Sequence, residues 1–89
     1  MAESKTSFFL FAQYDFKTMI PIDTVRRDFF THLTTESLIK KIELGQIKLP
    51  LVRIEHSQKC AKGVMVFDLA KYLDDRVAAA KKELAQMTS

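Results

Sequence analysis

Cysteine occurs once, at Cys60. A single thiol excludes an intramolecular disulfide and a cysteine-based zinc site, and such sparing usage fits a reducing cytoplasm. Glycine and proline are scarce too, two of each, which argues against a long disordered segment. No stretch approaches the ~18 consecutive apolar residues that a membrane span needs. The run FFLFA after Lys5 is too short for the apolar core of a signal peptide. These absences point to a soluble intracellular protein with no membrane partner.

The ingredients of catalysis are equally thin. His32 and His56 stand far apart with only Cys60 near the second, whereas a metal site needs three or four ligands in defined spacing. Asp74 and Asp75 are neighbours, and on a helix they point to different sides, unlike a catalytic carboxylate pair. There is no glycine-rich phosphate loop and no nucleophile elbow around Ser57. The reading is therefore a protein that is not an enzyme, with no cofactor and no metal.

What remains is an ordinary folding composition, 47% hydrophobic and 28% charged over 89 residues, enough for one domain and one small core. The net charge of +3 is unevenly distributed. Residues 1–25 set Lys5 and Lys17 against Glu3, Asp15 and Asp23, for −1. Residues 26–63 set Arg26, Arg27, Lys40, Lys41, Lys48, Arg53, Lys59 and Lys62 against Asp28, Glu36, Glu43 and Glu55, for +4. The remainder balances Lys71, Arg76, Lys81 and Lys82 against Asp68, Asp74, Asp75 and Glu83. The central excess is where a polyanion would dock, although charge alone does not separate that from a solvated basic face.

Along the chain, Ser7 to Tyr14 is apolar without clean alternation, so a buried strand and a short helix both stay open. A helix with Ser7 as N-cap and Asp15 near its end is the favoured form. The phenylalanines at positions 8, 9, 11 and 16 are many for a small monomer to cover, which leaves core packing and contact with a second subunit both open. Met19 and Ile20 should be extended, because the residue before Pro21 is pushed out of the α region. Pro21 can then open a helix over 22–31, with Ile22, Val25 and Phe29 as its buried stripe and Phe30 beside it. Arg27 and Asp28 should project away.

Thr34 is a suitable N-cap for a second helix over 34–45, and Gly45 a suitable terminator. Leu38, Ile39 and Ile42 form its inward stripe, leaving Thr35, Glu36, Ser37, Lys40 and Lys41 outward. These side chains suit base edges and phosphates if the helix enters a major groove, and a solvated amphipathic helix is the alternative that this segment alone leaves open. A β-hairpin over 49–66 follows, with Leu51, Val52 and Ile54 facing Val64 and Val66 across a polar, basic loop from Glu55 to Gly63. Ser57, Gln58, Lys59 and Lys62 in that loop could meet phosphates or a minor groove, as a wing does. The last helix should start at Phe67 or Asp68 and run to 87, with Ala70, Leu73, Val77, Ala80, Leu84 and Met87 in heptad spacing. Its second half overreaches so small a domain, so a dimer contact is expected there, a solvated tail being the plainer alternative.

The segments IPIDTVRRDFFTHLT, KKIELGQIKLPLVRIEHSQKCAKGV and DLAKYLDDRVAAAKKEL, in that order, resemble the pyocin activator protein (PrtN) family over about Phe8 to Leu84. The resemblance implies a small bacterial transcription activator, induced after DNA damage, that binds promoter-upstream duplex DNA of phage-tail-like bacteriocin genes or belongs to a prophage. The positions matching its motifs are Arg27, Lys40, Lys41, Arg53, Ser57, Gln58, Lys59 and Lys62. Arg26 and Cys60 depart from the pattern, where a smaller or less charged residue and a serine are expected. Arg26 is either an added phosphate contact or a snorkelling side chain.

The fold class expected is mainly α with a small β-hairpin, a winged helix-turn-helix of the excisionase/MerR-like type with a long C-terminal helix. The expected partners are double-stranded DNA, a second copy and RNA polymerase, in the bacterial cytoplasm at the nucleoid. An excisionase-like architectural factor and a phage-encoded protein-interaction module are the alternatives. Both DNA-binding readings require duplex affinity that falls steeply with salt, and the interaction module requires none.

Overall fold

The computed structural model describes residues 5–57 and 59–88. The order is α1 (Lys5–Gln13), β1 (Met19–Pro21), α2 (Ile22–Phe29), α3 (Thr35–Glu43), β2 (Val52–Arg53), β3 (Lys62–Met65) and α4 (Val66–Thr88). The chain is mainly helical, with one small antiparallel sheet of strand order β1-β3-β2 and a long C-terminal helix. Among the described residues no helix is long and apolar enough to cross a membrane.

The apolar stretch near the start is a helix, and Ser7 is not its cap. Lys5 is already helical, and Ser7 is buried inside α1, which packs along α4. Thr6 donates to the Asp74 carboxylate at 2.6 Å, and the rings of Phe11 and Phe67 lie 6.1 Å apart. The two helices therefore run in opposite directions. After Gln13 the chain reverses through Asp15 and Phe16, both at positive φ, a region that non-glycine residues seldom adopt.

The extended piece at Met19 is a true strand. Its register against β3 (Met19↔Met65, Ile20↔Val64, Pro21↔Gly63) makes the expected two-stranded hairpin a three-stranded sheet. A Cβ on Gly63 would lie 2.6 Å from the Ile20 carbonyl oxygen, so glycine is what lets the strands approach. Gly63 is thus a strand residue, and the hairpin loop is shorter than expected. Ile54 N–H donates to the Ala61 carbonyl at 3.1 Å, extending the pairing of Val52↔Gly63 and Arg53↔Lys62. Val66 leaves the strand to begin α4, one residue before Phe67, with its N–H donating to the Thr18 carbonyl at 2.8 Å. Asp68 accordingly sits in the first turn, where its charge suits the helix dipole, and not at the cap.

Pro21 is the N-cap of α2 and its helix ends at Phe29, with Phe30 as C-cap. Phe30, expected to flank the stripe, is the more deeply buried of the two rings, whereas Phe29 is half-buried. Ile20, Val25, Leu38, Val64, Val66 and Leu69 are the largest side chains sealed from solvent. They draw every element except β2 and α1 into one centre, each contributing about 1.5–3 kcal/mol by burial. Leu10 joins them from α1.

The outer half of α4 has no such cover. Ala70 is buried and Leu73 half-buried, but Val77, Leu84 and Met87 are 51%, 58% and 78% exposed. At 1.5 Å per residue, 23 helical residues span about 35 Å. This length accounts for a molecule of 50 × 27 × 23 Å.

Candidate nucleic-acid interface

Helices α2 and α3 are joined by three residues, Thr31, His32 and Leu33, between the caps Phe30 and Thr34. Leu33 N–H returns to the Phe30 carbonyl at 3.0 Å. Arg26 donates to the Leu33 carbonyl at 3.2 Å. The arginine therefore ties the turn, a use not anticipated for it. Thr34 caps α3 as its sequence suggests, its hydroxyl oxygen accepting from Ser37 N–H at 3.1 Å. Gly45 follows at φ 77°, ending the helix.

On α3, Glu36 and Ser37 of the first turn and Lys40 of the last turn are exposed. Thr35 differs from the outward residue expected. It is half-buried, and its hydroxyl donates to the Asp23 carboxylate at 2.6 Å, fastening α3 to the first turn of α2. Lys41 is half-buried with its ammonium 3.4 Å from the Gln46 side-chain oxygen.

The hairpin folds back beside this helix. A cleft of about 310 Å³ is lined by Pro21, Ile22 and Asp23 at the start of α2, Thr35 and Ile39 of α3, and Cys60, Ala61 and Lys62 of the returning arm. Lys62 is thereby placed at the N-terminal end of α3. At the other end of α3, Glu43 is bonded to Arg53 of β2. Arg53 was expected as a DNA contact on motif grounds alone, and here its guanidinium faces a carboxylate. Ser57 and Lys59 are exposed at the hairpin tip, where Ser57 Oγ accepts from Lys59 N–H at 3.2 Å. Gln58 lies outside the described residues. Cys60 is half-buried, with Sγ 3.2 Å from the Glu55 carbonyl.

Arg27 is not gathered with these residues. It is exposed and paired with Asp28 at 2.9 Å, in a second cleft with Tyr14, Lys17, Met19 and Thr24. Asp28 also accepts from the Tyr14 hydroxyl. Hydrogen bonds from Arg27 and then Tyr14 hold the Asp28 carboxyl below its ordinary range. Burial, then the bond to Asp28, pushes the Tyr14 phenol up.

Several residues that shape the site escaped sequence reasoning. Asp23 enters the sequence only as one acid in a charge count, and its bond to Thr35 needs the α2–α3 crossing to be known. Glu43 carried a usable signal, an acid in the last turn of a helix, where the dipole disfavours it unless a cation is near. Among the described residues no three of His, Cys, Asp and Glu gather into a group that could hold a metal ion.

Comparison with curated proteins and with solved structures gives no match. A family model described as pyocin activator protein PrtN matches residues 6–80. The match runs from the second residue of α1 through both clefts to the outer half of α4, and the chain belongs to the pyocin activator protein PrtN family.

Proposed function

We propose that this protein is a sequence-specific DNA-binding activator of bacteriocin (pyocin-like) or prophage genes, built as a single winged helix-turn-helix domain. In this reading α2 is the scaffold helix, α3 the reading helix, and the β2–β3 hairpin the wing. Glu36, Ser37 and Lys40 reach base edges, where Glu accepts from cytosine and Lys donates to guanine. Lys59 and Lys62 meet phosphates on the flank. The single observation that carries the reading is the hairpin's return past Thr35 and Ile39, with Lys62 in the same cleft; a groove-inserted helix presents its N-terminal turns to bases. Membership of an activator family supports the same conclusion.

A site upstream of a promoter would then bring the protein to RNA polymerase. The exposed apolar residues of outer α4, Val77, Leu84 and Met87, are best accounted for by a second copy, since a helix left alone in water is marginal. Two copies would also match a two-fold symmetric operator.

Selection of bound oligonucleotides, followed by affinity measured over a salt series, tests the reading. A single enriched motif is expected, with log affinity falling linearly in log salt. Replacing Lys59 and Lys62 by alanine should reduce that slope by roughly 0.9 per lost phosphate contact while preserving the motif. Absence of duplex affinity would leave the protein-interaction alternative standing.

A further inference from the structure

Helix α3 ends on Glu43, after Lys40 and Lys41 in the same last turn. Its carboxylate accepts from Arg53, the final residue of β2. Beyond Arg53 lies the hairpin tip with Ser57 and Lys59. That tip hangs on two strand pairs, Val52↔Gly63 and Arg53↔Lys62, and on the Ile54 to Ala61 hydrogen bond of 3.1 Å. A hairpin with so few rungs is held only weakly by its own backbone, so its inclination to α3 depends on side chains that reach across.

We propose that the Glu43–Arg53 pair is a strut that sets the inclination of the hairpin tip against α3. Arg53 is then a positioning residue for DNA reading, and not a phosphate ligand. The part concerning DNA rests on the function proposed above, whereas the strut itself does not. Arginine suits this work because its planar fork fixes direction as well as distance. With the two side chains 36% and 51% exposed, the pair adds little to global stability, so its effect should be local. A guanidinium already facing a carboxylate also adds little to counterion release, which separates a strut from a phosphate contact.

Two measurements on the full-length chain test this. In the first, without DNA, amide hydrogen exchange is followed at Ile54. Glu43→Gln should speed exchange there by about two- to five-fold, the range that loss of an exposed ion pair allows. The reversed pair, Glu43→Arg with Arg53→Glu, should return it to the wild-type rate. An unchanged rate in Glu43→Gln overturns the strut. In the second, affinity for the selected duplex is measured over a salt series. Arg53→Gln should weaken binding by a similar factor at each salt concentration, without altering the slope, and the reversed pair should restore it. A slope lowered by about 0.9, with no recovery in the reversed pair, would make Arg53 a phosphate contact and overturn the assignment. Tighter binding by Glu43→Gln would overturn it as well. Should the wild-type chain bind no duplex, the DNA reading fails alone, and the exchange measurement still decides the strut.

Discussion

The Thr35 hydroxyl donates to the Asp23 carboxylate at 2.6 Å, so the first residue of α3 is fastened to the first turn of α2. A hydroxyl committed in this way holds the angle between the two helices and is poorly placed to read a base. Thr35→Val keeps the shape and removes the donor. It is expected to lower the unfolding free energy by about 1 kcal/mol, measured by urea denaturation, with the enriched duplex motif unchanged. Intact stability with an altered motif would instead make Thr35 a reader.

Gly63 tests the packing of the sheet. An alanine there would force its Cβ against the Ile20 carbonyl oxygen, backbone that cannot swing aside. Gly63→Ala should destabilise by about 1–3 kcal/mol, read as a lower midpoint in thermal denaturation. Ala in place of Gly45, which has positive φ but nothing within 4 Å of a Cβ, should cost less, about 1 kcal/mol.

The Tyr14–Asp28–Arg27 cluster predicts opposite effects at the two ends of the pH range. Asp28 is depressed below its ordinary 3.8, chiefly by the Arg27 hydrogen bond and then by Tyr14. Its stabilising contribution is therefore full above 3.8 and disappears as pH falls through the lower folded value. Tyr14 is raised above 10.0, mainly by burial and then by the bond to Asp28. Its contribution is full below 10.0 and disappears as pH rises beyond it, because the unfolded chain gives up the phenolic proton first. Asp28→Asn should flatten the acid limb of a stability profile, and Tyr14→Phe the alkaline limb. Tyr14→Phe should relax the Asp28 carboxyl only in part, seen by NMR titration, since the Arg27 bond remains.

Truncation after Arg76 removes Val77, Leu84 and Met87 together. If the second copy proposed above is bound there, light scattering should show a dimer for the full chain and a monomer for the truncated one, while the helical signal of the remaining residues persists. A truncated chain that stays dimeric would take outer α4 out of the contact. The exposed rings of Phe8 and Phe9 on α1, 63% and 66% accessible, would then be the surface to substitute.

Local chemistry made much of this chain legible before any coordinates. Thr34 and Gly45 mark the ends of α3 because a hydroxyl before a helix and a glycine after it answer to backbone needs a few residues away. The overreach of α4 was equally plain, since helix length is proportional to residue number while the cover a small core can offer is not. The side chains expected to contact DNA were less legible. Thr35 and Arg53 look like free polar groups in one dimension because their partners, Asp23 and Glu43, stand 12 and 10 residues earlier.

Residue order by itself determined the helices α2, α3 and α4, the hairpin between the last two, the central basic excess and the resemblance to an activator family, all of which rest on spacing and short-range backbone preference. Only the tertiary structure decided that Met19–Pro21 completes the sheet, that Gly63 is a contact point and not a loop end, and that Arg27 stands apart from Lys62. Those outcomes depend on which distant segments the collapsing core brings together, and a strand of three residues or a single ion pair is too small to announce its partner in advance.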